Sequence, residues 1–373
     1  MFKILIAILL FVPGLYSCNS NVSQPGQMIE SDKVSMRIDT MATGLENPWG
    51  MAFLPDGRIL IAERPGRLRV FASGELRDEP VSGLPDIWAH GQGGLLDVVL
   101  HPDYDENGWI YIAYAEPRNG GGNTSVSRGR INGNSFTDVE LIFRGEPATG
   151  AGQHFGSRIV FDDDGYLFTT IGDRGVMDNA QTLENHNGKV IRLYDDGTVP
   201  DDNPFTGVEG AMPEIWSYGH RNIQGMALHP ETRELWTHEH GPRGGDEINL
   251  IEKGLNYGWP EVTHGINYDG TTITEDTTRV GMEDPVLHWT PSIAPCGLAF
   301  VDSERYPEWH NNMLVGALAG QHIHRVVIEN DEVVGTEYLL EDFARFRDIR
   351  VGPDGYIYVL TEAPGLFFRI IPG

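Results

Sequence analysis

Cysteine is nearly absent: Cys18 and Cys296 are the two in 373 residues. Cys18 falls in an N-terminal segment that reads as a processing signal, so Cys296 is left alone and no disulfide is available to the fold. Basic residues are also scarce, with 27 Lys and Arg against 54 Asp and Glu, a formal net charge of −27. Such a surface repels nucleic acid and anionic lipid and suits a cation or a neutral substrate; the solubility of an exported protein would account for it equally. Long apolar runs are missing apart from Ile4 to Val12, which is too short to serve as a stable membrane span. No helical heptad pattern appears. Glycine (46) and proline (23) are plentiful instead, the punctuation of many short strands and frequent turns.

The first 35 residues carry signals rather than fold. Lys3, the apolar run and Leu15-Tyr16-Ser17-Cys18 resemble a bacterial lipobox, so residues 1–17 read as a lipoprotein-type signal peptide. Cys18 would then be lipidated, and residues 18–35 would form a flexible polar tether. Tyr16 is unusual in a lipobox, and plain secretion is the alternative. Either way the expectation is an exported, periplasmic or cell-envelope protein, which under the lipobox reading meets the membrane only through a lipid on Cys18.

Residues 36–373 are organised by a repeat. An apolar strand runs into a Pro/Asp/Gly turn and out into a second apolar strand at Gly50–Gly57, Leu95–Asp103, Ser157–Gly165, Gly225–Glu231, Gly297–Ser303 and Asp348–Gly355. Successive turns lie 47 to 72 residues apart. A period near 45–50 residues with several strands per unit describes a propeller blade, longer units carrying insertions. The expectation is an all-β, six-bladed propeller with four-stranded antiparallel blades around a central channel. Met36–Thr40 would pair into the last blade and close the ring, removing free edges. The insertions 118–153, 174–212 and 243–288 should gather on one face. A pair of β-sandwiches is the competing architecture, and six like turns argue against it.

Polar residues cluster just before the inner strand of several units, where the blades would meet at one mouth of the channel. His154 follows the loop Gly150-Ala-Gly-Gln153 and is the side chain best matched to accept a proton near neutral pH; a loop histidine with a purely structural hydrogen bond is the plainer reading. Arg221 and Asn222 precede the fourth inner strand and could grip carboxylate or carbonyl oxygens, or simply end a surface loop. His238 and His240 share a strand face, which raises zinc, but no third ligand has a fitting spacing. The carbonyls of Gly241 and Pro242 with the carboxylates of Asp246 and Glu247 are hard oxygen ligands better suited to calcium. Gln92 precedes the second inner strand, and Arg345 and Arg347 share one face before the sixth. Three arginines so placed, Arg221 among them, suit an anionic, carbonyl-rich ligand.

These segments resemble a known family. Leu45-Glu-Asn-Pro-Trp-Gly-Met-Ala-Phe, Gly91-Gln-Gly-Gly-Leu-Leu, His154-Phe-Gly-Ser-Arg-Ile-Val-Phe, Tyr218-Gly-His-Arg-Asn-Ile-Gln-Gly, Glu239-His-Gly-Pro-Arg-Gly-Gly-Asp-Glu-Ile-Asn and Asn256-Tyr-Gly-Trp-Pro are similar to motifs of the soluble aldose sugar dehydrogenases that use pyrroloquinoline quinone (PQQ), of the glucose/sorbosone dehydrogenase group. The resemblance spans about residues 40–372 and implies a six-bladed propeller. It further implies oxidation of an aldose at its anomeric carbon to a lactone, by hydride transfer to the quinone with Ca2+. His154 then matches the general base, and Arg221 and Asn222 the pair on the quinone carbonyls. Gln92, Tyr268, Arg345 and Arg347 match further cofactor contacts, and His240 stands where the glucose enzymes have a glutamine. Gly241 and Pro242 match carbonyl ligands of the cofactor's calcium, and Glu247 and Tyr257 a second, structural calcium site.

The implied partners are a sugar and an electron acceptor (quinone, cytochrome or dye-like), with no nucleic acid. Where the family often places a lysine beside the quinone, this chain has Ala319-Gly-Gln-His322, so that contact is lost or is replaced by His322 or His324. Ser292 stands in place of a threonine. A calcium-dependent propeller lactonase or esterase, and a non-catalytic propeller binding a glycan or a protein, are the rival functions.

Overall fold

The computed structural model describes residues 28, 29 and 31–373. The signal-peptide and lipidation readings at residues 1–17 and Cys18 lie outside the described residues. Six antiparallel sheets account for nearly all regular structure. Blade one comprises Pro48–Phe53, Ile59–Glu63, Arg67–Ala72 and Glu75–Leu76, in that order from the axis outward. Blades two to five begin at Leu95, Ile159, Ile223 and Pro295 and repeat the order. Blade six takes Phe346–Val351, Ile357–Thr361 and Leu366–Pro372 from the C-terminus and its next strand, Met36–Thr43, from the far end of the chain. The register Met36↔Pro372, Ile38↔Ile370 and Thr43↔Leu366 closes the ring as the repeat led us to expect.

The recurring turn has a common geometry. In blade one Leu54 N donates to Arg58 O (2.8 Å) and Gly57 N to Leu54 O (3.0 Å), with Gly57 at φ +86°. Asp162–Tyr166 and Gly352–Tyr356 repeat both bonds, with Gly165 and Gly355 in the same left-handed region. Only glycine adopts that conformation without cost, so the Asp-Gly spacing recurs in the sequence. The second strand is fully buried in five of the blades, because it is covered by neighbours on both faces. Six apolar clusters each fill one interface between adjacent blades. One example joins Leu314 and Ile323 of blade five to Phe346, Ile349 and Phe368 of blade six.

One expectation is corrected. Residues 118–153 are not a loop insertion: Gly121–Asn132 and Ser135–Arg144 are the two outer strands of blade two, turning at Gly133. Their apolar signal is faint because Asn123, Thr124, Ser125 and Ser127 of the third strand are buried polar residues, while Asp138, Val139, Glu140 and Leu141 of the fourth are exposed. Segments 174–212 and 243–288 likewise contain the third strands Lys189–Leu193 and Asp246–Ile251.

Ion pairs cross the waist of the channel. Arg158 reaches Asp348 (2.9 Å) and Asp97 (3.5 Å), and Arg350 reaches the same two carboxylates (3.1 and 2.6 Å). The main-chain N–H of Ile159 donates to the other oxygen of Asp97, and that of Met51 to the Asp348 oxygen that Arg350 also holds. Four blades are thereby tied at the axis. A cavity of about 240 Å³ lies at the mouth end, lined by residues at the starts of the inner strands. Another of about 350 Å³ lies at their far ends, with Arg158, Asp348 and Arg350 in its wall.

Candidate active site

His154 ends the glycine loop with φ +57°, a left-handed conformation uncommon for a side-chain-bearing residue and often found at functional sites. Gly172 makes this possible: a Cβ there would stand 2.3 Å from the His154 carbonyl oxygen. The backbone N–H of His154 donates to Gln92 Oε1 (2.8 Å), and its Nδ1 lies 2.6 Å from Asp173 Oδ1. Asp173 is buried and also accepts from Gly175 N (2.7 Å) and Trp259 Nε1 (2.9 Å). Burial works to raise the Asp173 pKa, but the bond from His154, together with the charges around it, holds it below the usual value. Burial is also the main influence on His154, lowering its pKa; Arg221 adds to this and Asp173 opposes it. The result is a neutral imidazole with its proton on Nδ1 and the Nε2 lone pair free, the arrangement of an oriented general base.

Beside it, the mouth cavity gathers Trp49, Arg64, Gln92, His240, Arg345 and Arg347 with Glu362. Glu362 accepts from Arg345 Nη2 (3.1 Å) and Arg347 Nη2 (3.2 Å). Its pKa is lowered despite burial, by these two guanidiniums and by Arg64. Three guanidiniums against one carboxylate give the cavity a formal charge of +2 within a chain of −27. Such a cavity favours an anionic ligand.

Arg221 is buried, and Nη1 donates to the carbonyls of His240 (3.0 Å) and Gly241 (2.8 Å). A cation on the Gly241 oxygen would therefore touch a guanidinium, so this part of the expected cofactor-calcium site does not fit. Among the described residues, the Pro242 carbonyl accepts a hydrogen bond only from Ser292 Oγ, at 3.4 Å. Asp246 is not a ligand either: its two oxygens accept from the main-chain N–H groups of Gly241, Ile293 and Ala294 and from Ser292, which fixes the loop. Zinc on His238 and His240 is also excluded. Their Nε2 atoms face the carbonyls of Gly297 (3.1 Å) and Pro295 (2.9 Å).

A second cation site fits better. Glu239 and Glu247 stand directly opposite each other on neighbouring strands and line one small cavity with Tyr257. Glu239 is hydrogen-bonded to His220 (3.0 Å) and to the N–H groups of Arg221 (2.5 Å) and Asn222 (3.2 Å). Glu247 has one long contact, Asn249 at 3.5 Å, and its pKa is raised well above the usual value by burial and by Glu239. Facing carboxylates repel unless a proton or a cation lies between them. The Tyr257 hydroxyl is spent on Leu250 O and Glu252 N, which leaves its main-chain carbonyl as the ligand it could offer.

The sequence model of the Glucose / Sorbosone dehydrogenase family matches residues 45–369. This chain belongs to that family. Among its relatives, the aldose sugar dehydrogenase YliI of Escherichia coli strain K12 is 45% identical over 346 residues, covering 91% of this chain and 93% of its own. The crystal structure of the soluble aldose sugar dehydrogenase from Escherichia coli in the apo-form superposes with a TM-score of 0.88 at 43% identity, covering 91% of this chain and 100% of that one. The PQQ-bound aldose sugar dehydrogenase from Streptomyces coelicolor gives 0.76 at 26% identity, covering 92% and 99%.

In this family member, Gln92, His240, Arg345 and Arg347 share the cavity wall. His154 adjoins them through Gln92. Asn222 uses its Oδ1 on Gly156 N (3.1 Å) and Gln224 Nε2 (3.2 Å). Tyr268 lies outside the cavity; it is 73% exposed and lines a separate shallow cleft with Pro242 and Ser292. His322 and His324 do not replace the lysine: both are buried in blade five, their rings packed at a tilt against Tyr338. Asp173, Trp259, Arg64 and Glu362 escaped the sequence reading. A usable signal existed, since Arg64, His240 and Glu362 immediately follow the second strand of their blades and Asp173 follows one residue later. Each second strand runs back to the mouth its inner strand left.

Proposed function

We propose that this protein oxidises aldose sugars at the anomeric carbon to lactones, using PQQ as hydride acceptor, with calcium held at Glu247. One observation carries the reading. A neutral, carboxylate-oriented histidine stands at the rim of a cavity with a surplus of two positive charges. When bound, the quinone supplies the hydride-accepting centre. The protein supplies everything around it. His154 Nε2 takes the proton of the anomeric hydroxyl, and Asp173 stabilises the imidazolium that forms without itself being protonated. Arg345 and Arg347 hold carboxylates of the cofactor, and Trp49 offers a flat wall. Arg221, fixed by its bonds to His240 and Gly241, places a permanent positive charge near the base and keeps its proton affinity modest. Calcium between Glu239 and Glu247 would neutralise their repulsion and stiffen the strands that carry Arg221 and His240. An electron acceptor then completes turnover.

The test is direct. The purified protein is titrated with PQQ in the presence of calcium, and dye reduction is followed with a panel of aldoses. Sugar-dependent reduction is expected, with His154→Ala keeping quinone binding and losing about 10²–10⁴ of turnover. Absence of both quinone binding and dye reduction would refute the dehydrogenase reading.

A further inference from the structure

One guanidinium in the wall of the mouth cavity forms no hydrogen bond among the described residues. Arg345 and Arg347 are engaged by Glu362, by the Leu318 carbonyl (3.2 Å) and by Gln224 Oε1 (3.3 Å). Arg64 is different. It lies just past the second strand of blade one, where its main-chain N–H donates to Asn47 O (3.0 Å) and its carbonyl accepts from Leu95 N (3.2 Å). Gly94 is pressed against it: a Cβ there would be 1.9 Å from the Arg64 carbonyl oxygen and 2.5 Å from its Cγ. The start of the Arg64 side chain is thus held by packing. Its guanidinium ends 3.8 Å from Glu362 Oε1, beyond hydrogen-bond range, with no hydrogen bond among the described residues. The side chain is 23% exposed and lines the cavity.

A guanidinium serving only as a brace for Glu362 would sit at bonding distance, as Arg345 and Arg347 do. Arg64 instead keeps its donors free while standing near two like charges, an arrangement that gains from an arriving anion. Burial and those two neighbours already press on its protonated form. Where the family resemblance implies a lysine, this chain has Ala319, next to Leu318 of the cavity wall, so one cation is missing there.

We infer that Arg64 is a cofactor-binding residue, its guanidinium donating to a carboxylate of the tricarboxylate quinone in the role left open by Ala319. The inference rests on the PQQ reading above.

Quenching of intrinsic tryptophan fluorescence, to which Trp49 in the cavity wall contributes, reports binding without turnover. Titration of the whole protein with PQQ should show Arg64→Ala weaker than wild type by roughly ten- to a hundredfold, the loss of a charge-assisted hydrogen bond. Arg64→Lys should recover most of that affinity, which a loss of packing alone would not allow. The trimethyl ester of PQQ should bind both proteins with nearly equal, low affinity. Equal PQQ affinity in wild type and Arg64→Ala would overturn the assignment, and so would an equal loss for acid and ester. A wild-type protein that takes up no PQQ would instead bring down the parent reading.

Discussion

Asp173→Asn isolates the orientation of the base. Asp173 accepts three hydrogen bonds: from His154 Nδ1 and Gly175 N on Oδ1, and from Trp259 Nε1 on Oδ2. Asparagine offers one oxygen and one NH2 group. If its oxygen stays with His154, the NH2 faces the Trp259 N–H; if the amide turns over, the NH2 faces Gly175 N–H and forces the His154 proton onto Nε2. Each arrangement leaves a buried donor unpaired, at a cost of about 1–3 kcal/mol in stability. Catalysis loses more, because the imidazolium formed in the reaction no longer faces a carboxylate; turnover should fall by about 10²–10⁴. The pH profile has a definite sign. Only the neutral ring accepts a proton, so activity disappears as pH falls through the His154 pKa, already below 6.5 in the wild type through burial. Asp173 is the group opposing that shift, so its loss should move the acid limb of kcat/KM further down. Saturating PQQ, a dye acceptor and a pH series from the acid side are sufficient. An unchanged kcat with an unmoved limb would refute the dyad. PQQ affinity should hold, since Asp173 is not in the cavity wall.

Two further perturbations address the scaffold. Chelation of calcium should lower the melting temperature of the wild type, a site filled at a hundred times its Kd contributing about 2.7 kcal/mol. Glu247→Gln should melt almost identically with and without chelator; a wild type indifferent to chelation would mean that Glu239 and Glu247 share a proton instead. Arg158→Met should cost roughly 3–5 kcal/mol, because Asp97 and Asp348 stay buried with one cation fewer, and urea denaturation should show an earlier midpoint. An unshifted midpoint would show that the waist contributes nothing to stability.

The fold was legible in the sequence where its physics is local. A left-handed glycine is required at the same place in the turns ending at Gly57, Gly165 and Gly355, so the repeat shows in the letters. The outer strands of blade two escaped because the third is built largely of buried polar residues and the fourth is exposed at Asp138 to Leu141, so the apolar pattern of the inner strands does not extend to them. In the site, Gln92, Arg345 and Arg347 could be placed at one mouth because Gln92 and Arg345 precede inner strands and Arg347 is the second residue of one. Asp173 and Glu362 went unplaced because they lie just past the returning strands, a position the inner-strand repeat does not mark, and take their meaning from His154, 19 residues away, and from Arg64, which only closure of the ring brings near. Gly241 failed differently: its carbonyl was free on paper, and Arg221 takes it.

The tie across the waist does more than stiffen the ring. With Arg158 and Arg350 clasping Asp97 and Asp348, the propeller is a vessel with a floor, and its charged chamber opens at one end. In the proposed reaction, sugar enters and lactone leaves through the doorway that the electron acceptor must also use. Two visitors to a single-door chamber take turns. Catalysis then divides into two half-reactions in alternation, and crowding by either visitor delays the other.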